Sequence, residues 1–394
     1  MVSSVSTGHS TWISGSIQEE TLHIGVPCEV KNHEYRVAIT PAGVHELVGL
    51  GHEVAIERGA GSGSSISDQE YARAGARILQ SADEVWSFGE LILKVKEPTP
   101  SEHHRMRKGQ ILFAYLHLAA DRECTDALLE RGVTGIAYET VESPNGSLPL
   151  LAPMSEVAGR LATQVGSVAL QRPNGGRGTL MGGVPGVRPS RVTVIGAGVS
   201  GVNATQVAVG MGAEVTVLDL DVDKLRHVDA LYRGQVKTIV SNSFELEREV
   251  VESDLVIGAV LVPGAKAPTL VSSEMVSRMR PGSVMVDIAI DQGGCFEDSR
   301  PTTHDDPTYT VHETMFYCVG NMPGGVPNTS THALTKDTLR YVVALAEKGW
   351  RQALREDVSL ANGLNTFDGR VVNPAVAEAH GIKHLPLGEV LDKH

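Results

Sequence analysis

Val192-Thr193-Val194-Ile195-Gly196-Ala197-Gly198-Val199-Ser200-Gly201 is the stretch on which the fold of this chain turns. Four apolar or β-branched residues in a row read as a strand, and the amphipathic segment Val199 to Gly210 that follows reads as a helix. Between them, Gly196 permits a tight turn, Gly198 lets the backbone come close to a pyrophosphate, and Gly201 lets helix and strand pack closely. The start of the helix adds unpaired amides and the positive end of its dipole, both suited to a phosphate. The next strand, Glu214 to Leu218, ends in Asp219, which lies 18 residues past Gly201. That is close to the ~20 expected of the acid that takes the ribose hydroxyls. A glycine-rich turn alone is a common structural feature; strand, helix and acid together read as a dinucleotide site. The Asp219 carboxylate repels a 2′-phosphate, and neither Leu220 nor Asp221 offsets it, so the cofactor expected is NAD, with Lys224 near enough to soften the preference.

Working outward, the strand pattern continues through Lys237 to Val240, Asp254 to Ile257 and Ser283 to Asp287. An earlier series of apolar runs alternates with amphipathic stretches: Leu22 to Val26, Glu53 to Glu57, Leu91 to Val95, Ile111 to Tyr115 and Gly135 to Tyr138. Such alternation predicts parallel α/β layering. Between the first two runs, Thr40 caps a helix, Pro41 fits its first turn, and Gly49 and Gly51 end it. A longer helix from Pro153 carries Met154, Val157, Leu161, Val165 and Val168 on one stripe and is long enough to bridge two domains. A Gly- and Pro-rich loop, Arg172 to Pro189, leads into the second series. The last helix, about Thr331 to Trp350, has no further strands expected after it and is read as returning to the first series. The fold class expected is therefore α/β in two domains: a Rossmann dinucleotide-binding domain over 151–327, and a discontinuous α/β substrate domain over 21–150 plus 328–394. Residues 1–20, rich in Ser, Thr and Gly, are read as a flexible extension.

Composition narrows the partners. At 394 residues, 41% hydrophobic and 21% charged, the chain has the make-up of an ordinary globular enzyme. A net charge of -13 disfavours nucleic acid and anionic membrane, which need a basic surface. No run approaches the ~20 apolar residues of a membrane span, and the start lacks the order of a signal peptide, so a cytoplasmic location is expected. Cys28, Cys124, Cys295 and Cys318 are scattered without metal-ligand spacing and read as reduced thiols, with no metal.

Ligands of open α/β sheets sit beyond the carboxyl ends of the strands, where Arg36, Lys94, Lys96, His117, Asp291 and Asn321 fall. A dehydrogenase of a small amino or hydroxy acid needs a cation for the carboxylate and an acid/base group at the reacting heteroatom. Arg36 offers a planar fork, although its position alone points more often to a surface ion pair. Lys94 and Lys96 share a face by the two-residue period of a strand, and periodicity does not choose between them. His117 directly follows a strand, and an imidazole's ordinary pKa of ~6.5 suits proton transfer. Asp287 and Asp291 flank Ile288-Ala289-Ile290 ahead of Gly293-Gly294, and either acid could cap that turn.

These stretches bring a family into view. Glu34-Tyr35-Arg36-Val37-Ala38-Ile39-Thr40-Pro41, Leu93-Lys94-Val95-Lys96-Glu97-Pro98, Leu116-His117-Leu118-Ala119, Leu151-Ala152-Pro153-Met154-Ser155-Glu156, Asp287 through Gly294 and Asn321-Met322-Pro323 resemble alanine dehydrogenase, in register from about Leu22 to the last helix. The resemblance implies reversible oxidation of L-alanine with NAD to pyruvate and ammonia, in a homohexamer whose cofactor domains open and close. It implies that Arg36 and Lys96 hold the substrate's carboxylate end, that His117 is the proton-exchanging group, that Asp291 activates water, and that Asn321 seats substrate and nicotinamide. For the cofactor it adds Ser155, Lys224, Ser241, Val260, Leu261 and Arg300, with Ile288, Ala289, Ile290 and Asp291, and Val319, Gly320, Asn321 and Met322, lining the site. Asn328 stands where relatives often carry a basic residue, which puts a hinge or interface charge contact in doubt.

Three other readings compete. A transhydrogenase nucleotide-binding part would be expected to precede a membrane domain, and no apolar span occurs before His394. A lysine- or saccharopine-type oxidoreductase would need a wider pocket. A non-catalytic NAD-binding protein would be expected to lack one of Arg36, Lys96, His117 and Asp291, and all are present.

Overall fold

The computed structural model describes residues 21–260 and 267–392. The segment read as a flexible extension, 1–20, lies outside the described residues, as does Leu261.

Two sheets organise the chain. The first takes β1 (His23–Val26), β2 (Glu53–Glu57), β3 (Arg77–Leu79), β4 (Leu91–Leu93), β5 (Ile111–Ala114) and β6 (Thr134–Ala137). The second takes β7 (Arg191–Ile195), β8 (Glu214–Asp219), β9 (Lys237–Val240), β10 (Leu255–Gly258), β11 (Val284–Asp287), β12 (Thr308–Val311) and β13 (Thr314–Tyr317). The chain then returns to the first sheet with β14 (Leu364–Phe367) and β15 (Arg370–Val371). The spatial orders are β15-β14-β6-β5-β4-β1-β2-β3 and β12-β13-β11-β10-β7-β8-β9. Leaving aside the antiparallel edges β14, β15 and β12, both sheets follow one doubly wound parallel order, with a reversal beside β1 in the first and beside β7 in the second. A crevice opens at each reversal, outside the carboxyl ends of the strands.

The α/β class and the return of the chain to its first half agree with expectation, but the expected absence of strands after the last long helix is overturned. That helix spans Pro327–Glu356, bends at Gly349 (φ 69°), and is followed by β14 and β15. β14 pairs antiparallel with β6, through a register shift between Leu364 and Thr366 that breaks any regular period, and β15 pairs antiparallel with β14. The edge strand β3 and the β12–β13 hairpin were not anticipated either. β3 has three half-exposed or exposed residues and no apolar run, and β12 has three half-buried residues and one exposed, so neither announces a buried strand.

Helix termini follow the chemistry of their residues. Thr40 caps Pro41–Gly49 by accepting from the Gly43 amide, and Gly51 turns away with φ 93°. The helix Ala152–Ala169 joins the two lobes: Met154 and Val157 pack into the core under the first sheet, whereas Ala162 and Ala169 belong to the core under the second. The long helix Pro327–Glu356 buries Leu334, Tyr341, Val342 and Leu345 in the first core. All four cysteines are unpaired, as expected of reduced thiols.

Candidate active site

The glycine turn has the geometry its three positions require. Gly196 sits at φ 104°, and a Cβ there would lie 2.6 Å from the Ala259 carbonyl of the neighbouring strand end. A Cβ on Gly201 would fall 1.8 Å from the Gly196 carbonyl, so only glycine lets the helix Val199–Gly210 approach β7 this closely. Around Gly198 a Cβ would meet nothing within 4 Å: backbone faces open space at the helix N-terminus, as a pyrophosphate needs. Asp219, at the end of β8, accepts the Ala197 amide at 2.6 Å and the Asp221 amide at 2.8 Å, which holds it against the glycine turn. A carboxylate has further lone pairs, so acceptance from ribose hydroxyls stays open. The residues present therefore fit a dinucleotide. Lys224 is exposed in the first turn of the following helix, and Ser241, half-buried, donates its amide to the Asp219 carbonyl at 2.9 Å.

Between the lobes runs a cleft of about 1350 Å³, whose walls include His117, Glu139, Met154, Ser155, Val260, Ile288, Ala289 and Asp291. This exceeds the ~300–1,000 Å³ of an ordinary small-ligand site, as two ligands side by side require. Ile290, Val319 and Met322 are buried behind this wall, and Gly320 packs so that a Cβ would stand 3.0 Å from an Asp291 carboxylate oxygen. Arg300 stands apart from the expected cofactor wall. It is exposed, its guanidinium lies 3.9 Å from the centre of the Tyr309 ring, and it is not among the residues lining the cleft.

On the first lobe the cations come from the loops after β1 and β4, the two strands that flank the reversal. Arg36 is 2% exposed. Its Nε donates to Glu34 Oε1 at 2.7 Å, its Nη2 pairs with the other Glu34 oxygen and donates to Asn321 Oδ1 at 2.8 Å, and its Nη1 meets Met154 Sδ at 2.9 Å. Asn321 in turn donates its side-chain amide to Glu34 at 3.0 Å and its backbone amide to Asp291 at 3.3 Å. Arg36 and Asp291, 255 residues apart, are thus linked across the lobes through one asparagine with left-handed backbone (φ 56°). Burial works against ionising Glu34, but hydrogen bonds and charge from Arg36 outweigh it and hold the carboxyl below its ordinary range.

The two candidate lysines separate cleanly. β4 ends at Leu93, so the shared face expected of Lys94 and Lys96 does not exist. Lys94 is fully buried between Glu29 at 3.1 Å and Glu102 at 3.0 Å, a structural ion cluster. Among the described residues, the Lys96 ammonium has no carboxylate or hydrogen-bond partner. Burial, reinforced by the charge of Arg36, pushes its pKa down, while Glu97, Asp291 and Glu34 oppose. The neighbouring carboxylate that could have quenched it, Glu97, is paired with Lys31 instead. A desolvated, unpaired cation beside a buried arginine is a site waiting for an anion.

His117 follows β5 with φ 48°, its ring stacked on Tyr115 at a centroid distance of 6.0 Å, and lines the cleft. Of the two aspartates, Asp287 is the turn cap: fully buried, it accepts from the Ala289 and Cys295 amides, each at 2.9 Å, and from the Ser299 hydroxyl at 2.5 Å. Asp291 keeps its carboxylate at the cleft. Glu34, Tyr115, Glu139 and Met154 were not singled out from sequence. Glu34 could have been found as the acid two residues before Arg36, but a loop has no period to mark it. Asn328, where a lost charge contact was expected, donates to the Ser64 carbonyl of the first lobe at 2.7 Å, a neutral link in that place.

The two-lobed fold that carries this arrangement is shared by known proteins. Residues 25–158 match the family described as alanine dehydrogenase/PNT, N-terminal domain, and residues 162–374 match alanine dehydrogenase/PNT, C-terminal domain. The chain belongs to the alanine dehydrogenase/PNT family. Within that family it is 63% identical to an alanine dehydrogenase of Mycolicibacterium smegmatis over 355 residues, covering 90% of this chain and 96% of the relative. An alanine dehydrogenase of Mycobacterium tuberculosis is 60% identical over 94% of this chain and the whole of the relative. A solved L-alanine dehydrogenase superposes with a TM-score of 0.89 at 52% identity, over 91% of this chain and 99% of that one. A transhydrogenase from Sinorhizobium meliloti, also solved, reaches 0.78 at 28% identity over 89% and 99%. Both lobes of the alanine dehydrogenase/PNT architecture are therefore present in this chain.

Proposed function

We propose that this chain is an NAD-dependent alanine dehydrogenase, converting L-alanine, NAD and water reversibly to pyruvate, ammonia and NADH. The observation that carries this reading is Lys96, unpaired among the described residues, beside buried Arg36, which is joined through Asn321 to Asp291 on the wall of the cleft that holds His117. NAD, when bound, takes the substrate's α-hydrogen as a hydride. Arg36 and Lys96 grip the carboxylate and orient the α-carbon. His117 moves a proton at the substrate nitrogen or oxygen, and Asp291 directs water to the imine carbon, so that ammonia leaves and the carbonyl remains. Asp219 selects NAD over NADP by repelling a 2′-phosphate. The cofactor wall in this reading comprises Ser155, Gly196, Gly198, Gly201, Lys224, Ser241, Val260, Ile288 to Asp291 and Val319 to Met322. The lobes divide at 21–150 plus 328–394 and 151–327. Among the described residues no helix is long and apolar enough to cross a membrane, and no group of acids, histidines and cysteines could hold a metal ion. A cytoplasmic homohexamer completes the reading, by analogy with the family.

The test is NADH formation followed by absorbance with L-alanine, glycine, L-serine, L-leucine, L-lysine and L-glutamate, repeated with NADP. The expected result is fastest turnover with L-alanine and NAD. Turnover confined to lysine, or hydride exchange between nucleotides without any amino-acid oxidation, would overturn it.

A further inference from the structure

His117 carries a Cβ yet sits at φ 48°, a backbone region that persists in such residues only where the surroundings hold it. Glu139 is what holds it. Strands β5 and β6 are parallel neighbours, with Ala114 opposite Ala137, so the turns that leave them bring Leu116-His117 alongside Tyr138–Thr140. One carboxylate there accepts both consecutive amides, Leu116 at 3.2 Å to each oxygen and His117 at 2.6 Å. The same Oε1 stands 4.0 Å from His117 Nδ1. Among the described residues, no other carboxylate comes within ion-pair reach of this imidazole. The other ionisable groups around it are Tyr115, stacked on the ring with its phenol donating to the Leu150 carbonyl, and Glu142, Asp291 and Glu378, which line the same cleft. Arg36 and Lys96 complete the set on the substrate side.

We propose that Glu139 is a positioning residue for His117: its carboxylate, by accepting both consecutive amides, fixes the strained backbone that presents the imidazole to the cleft. The inference rests on His117 being the proton-transfer group of the proposed reaction. With Nδ1 turned toward Glu139, Nε2 is the nitrogen left for the substrate, the three-part logic of a base oriented by an acid.

The experiment compares wild type with Glu139→Gln, Glu139→Ala and His117→Ala, with ammonia saturating and NADH affinity measured by fluorescence. Glutamine keeps an oxygen for the two amides, and alanine keeps none. Glu139→Ala is expected to bind NADH and pyruvate as wild type does and to lose ~10-fold or more in kcat, within the range of a disturbed acid–base group. Glu139→Gln is expected to recover most of that loss. A kcat in Glu139→Ala equal to that of wild type overturns the proposal, as does a folded Glu139→Gln no more active than Glu139→Ala; if alanine prevents folding, a folded Glu139→Gln with kcat down ~10-fold overturns it. Retained turnover in His117→Ala would instead defeat the parent assignment; its loss, with Glu139→Ala at wild-type kcat, would defeat only the role of Glu139.

Discussion

At the reversal of the second sheet the working surface is backbone: a glycine turn, a helix end, and one aspartate that braces them. At the reversal of the first sheet it is side chains: Arg36 locked by Glu34, Lys94 locked by Glu29 and Glu102, and Lys96 without a partner among the described residues. The two lobes share a strand order and differ in what they place at its break. A pyrophosphate is read by shape and amides, which need space. A small carboxylate is read by cations, which must be desolvated and individually held, so the first lobe carries a shell of buried glutamates that the second does not need.

Mutations can break this comparison at either end. The largest effects belong to the locked pairs. Arg36→Ala leaves Glu34 buried without its cation and is expected to cost about 3–5 kcal/mol of stability, measurable by urea unfolding, along with loss of pyruvate binding. Lys94→Met strands two buried carboxylates and should destabilise by a similar amount, while the KM for pyruvate stays near wild type once the protein is folded. Lys96→Met should do the reverse: stability unchanged or raised, because an unpaired buried charge is gone, and KM for pyruvate up ~10-fold or more, the loss of one charge-assisted contact. If both lysine variants behave alike, the division into structural and binding cations is wrong. On the other lobe, Gly198→Ala meets open space at an ordinary φ of −76°. Its melting temperature should hold, with NAD affinity falling ~10-fold as the methyl group intrudes on the pyrophosphate; calorimetric titration distinguishes this from a folding defect.

The smallest effect is in pH. Glu34 and Glu97 are held below the ordinary carboxylate range by Arg36 and Lys31, against burial. Their folded pKa values are depressed, so the stability they contribute is present above the unfolded carboxylate pKa and is lost as pH falls through the folded values. Glu29 is raised by burial and works in the opposite direction. Unfolding free energy measured from pH 6 down to pH 3 should therefore fall, and a Glu34→Gln variant should lose part of that slope.

The cofactor half was legible because its signal is local: strand, glycines and acid occur within one stretch from Val192 to Asp219, and each residue's task follows from its own backbone. Without the family resemblance, which singled out Lys96 and Asp291, the substrate half was legible only as a set of strand-end positions. Which lysine is free depends on Glu29 and Glu102, distant in sequence from each other, and which aspartate is the cap depends on Ser299 and Cys295. Tertiary partners decided both, and no periodicity encodes them. The strands β14 and β15 escaped for a related reason. They are short, join through a register shift, and owe their place to β6, more than 220 residues earlier.

In the proposed reaction Arg36, Lys96, His117 and Asp291 act on one substrate beside the dinucleotide. The decisive measurement is a crystal structure with NAD and pyruvate. The pyruvate carboxylate is expected at ~3 Å from Arg36 and Lys96, with the Asn321 side chain displaced from Arg36 and the keto oxygen against His117. Pyruvate bound elsewhere, with Asn321 still on Arg36 and Lys96 still alone, would contradict it.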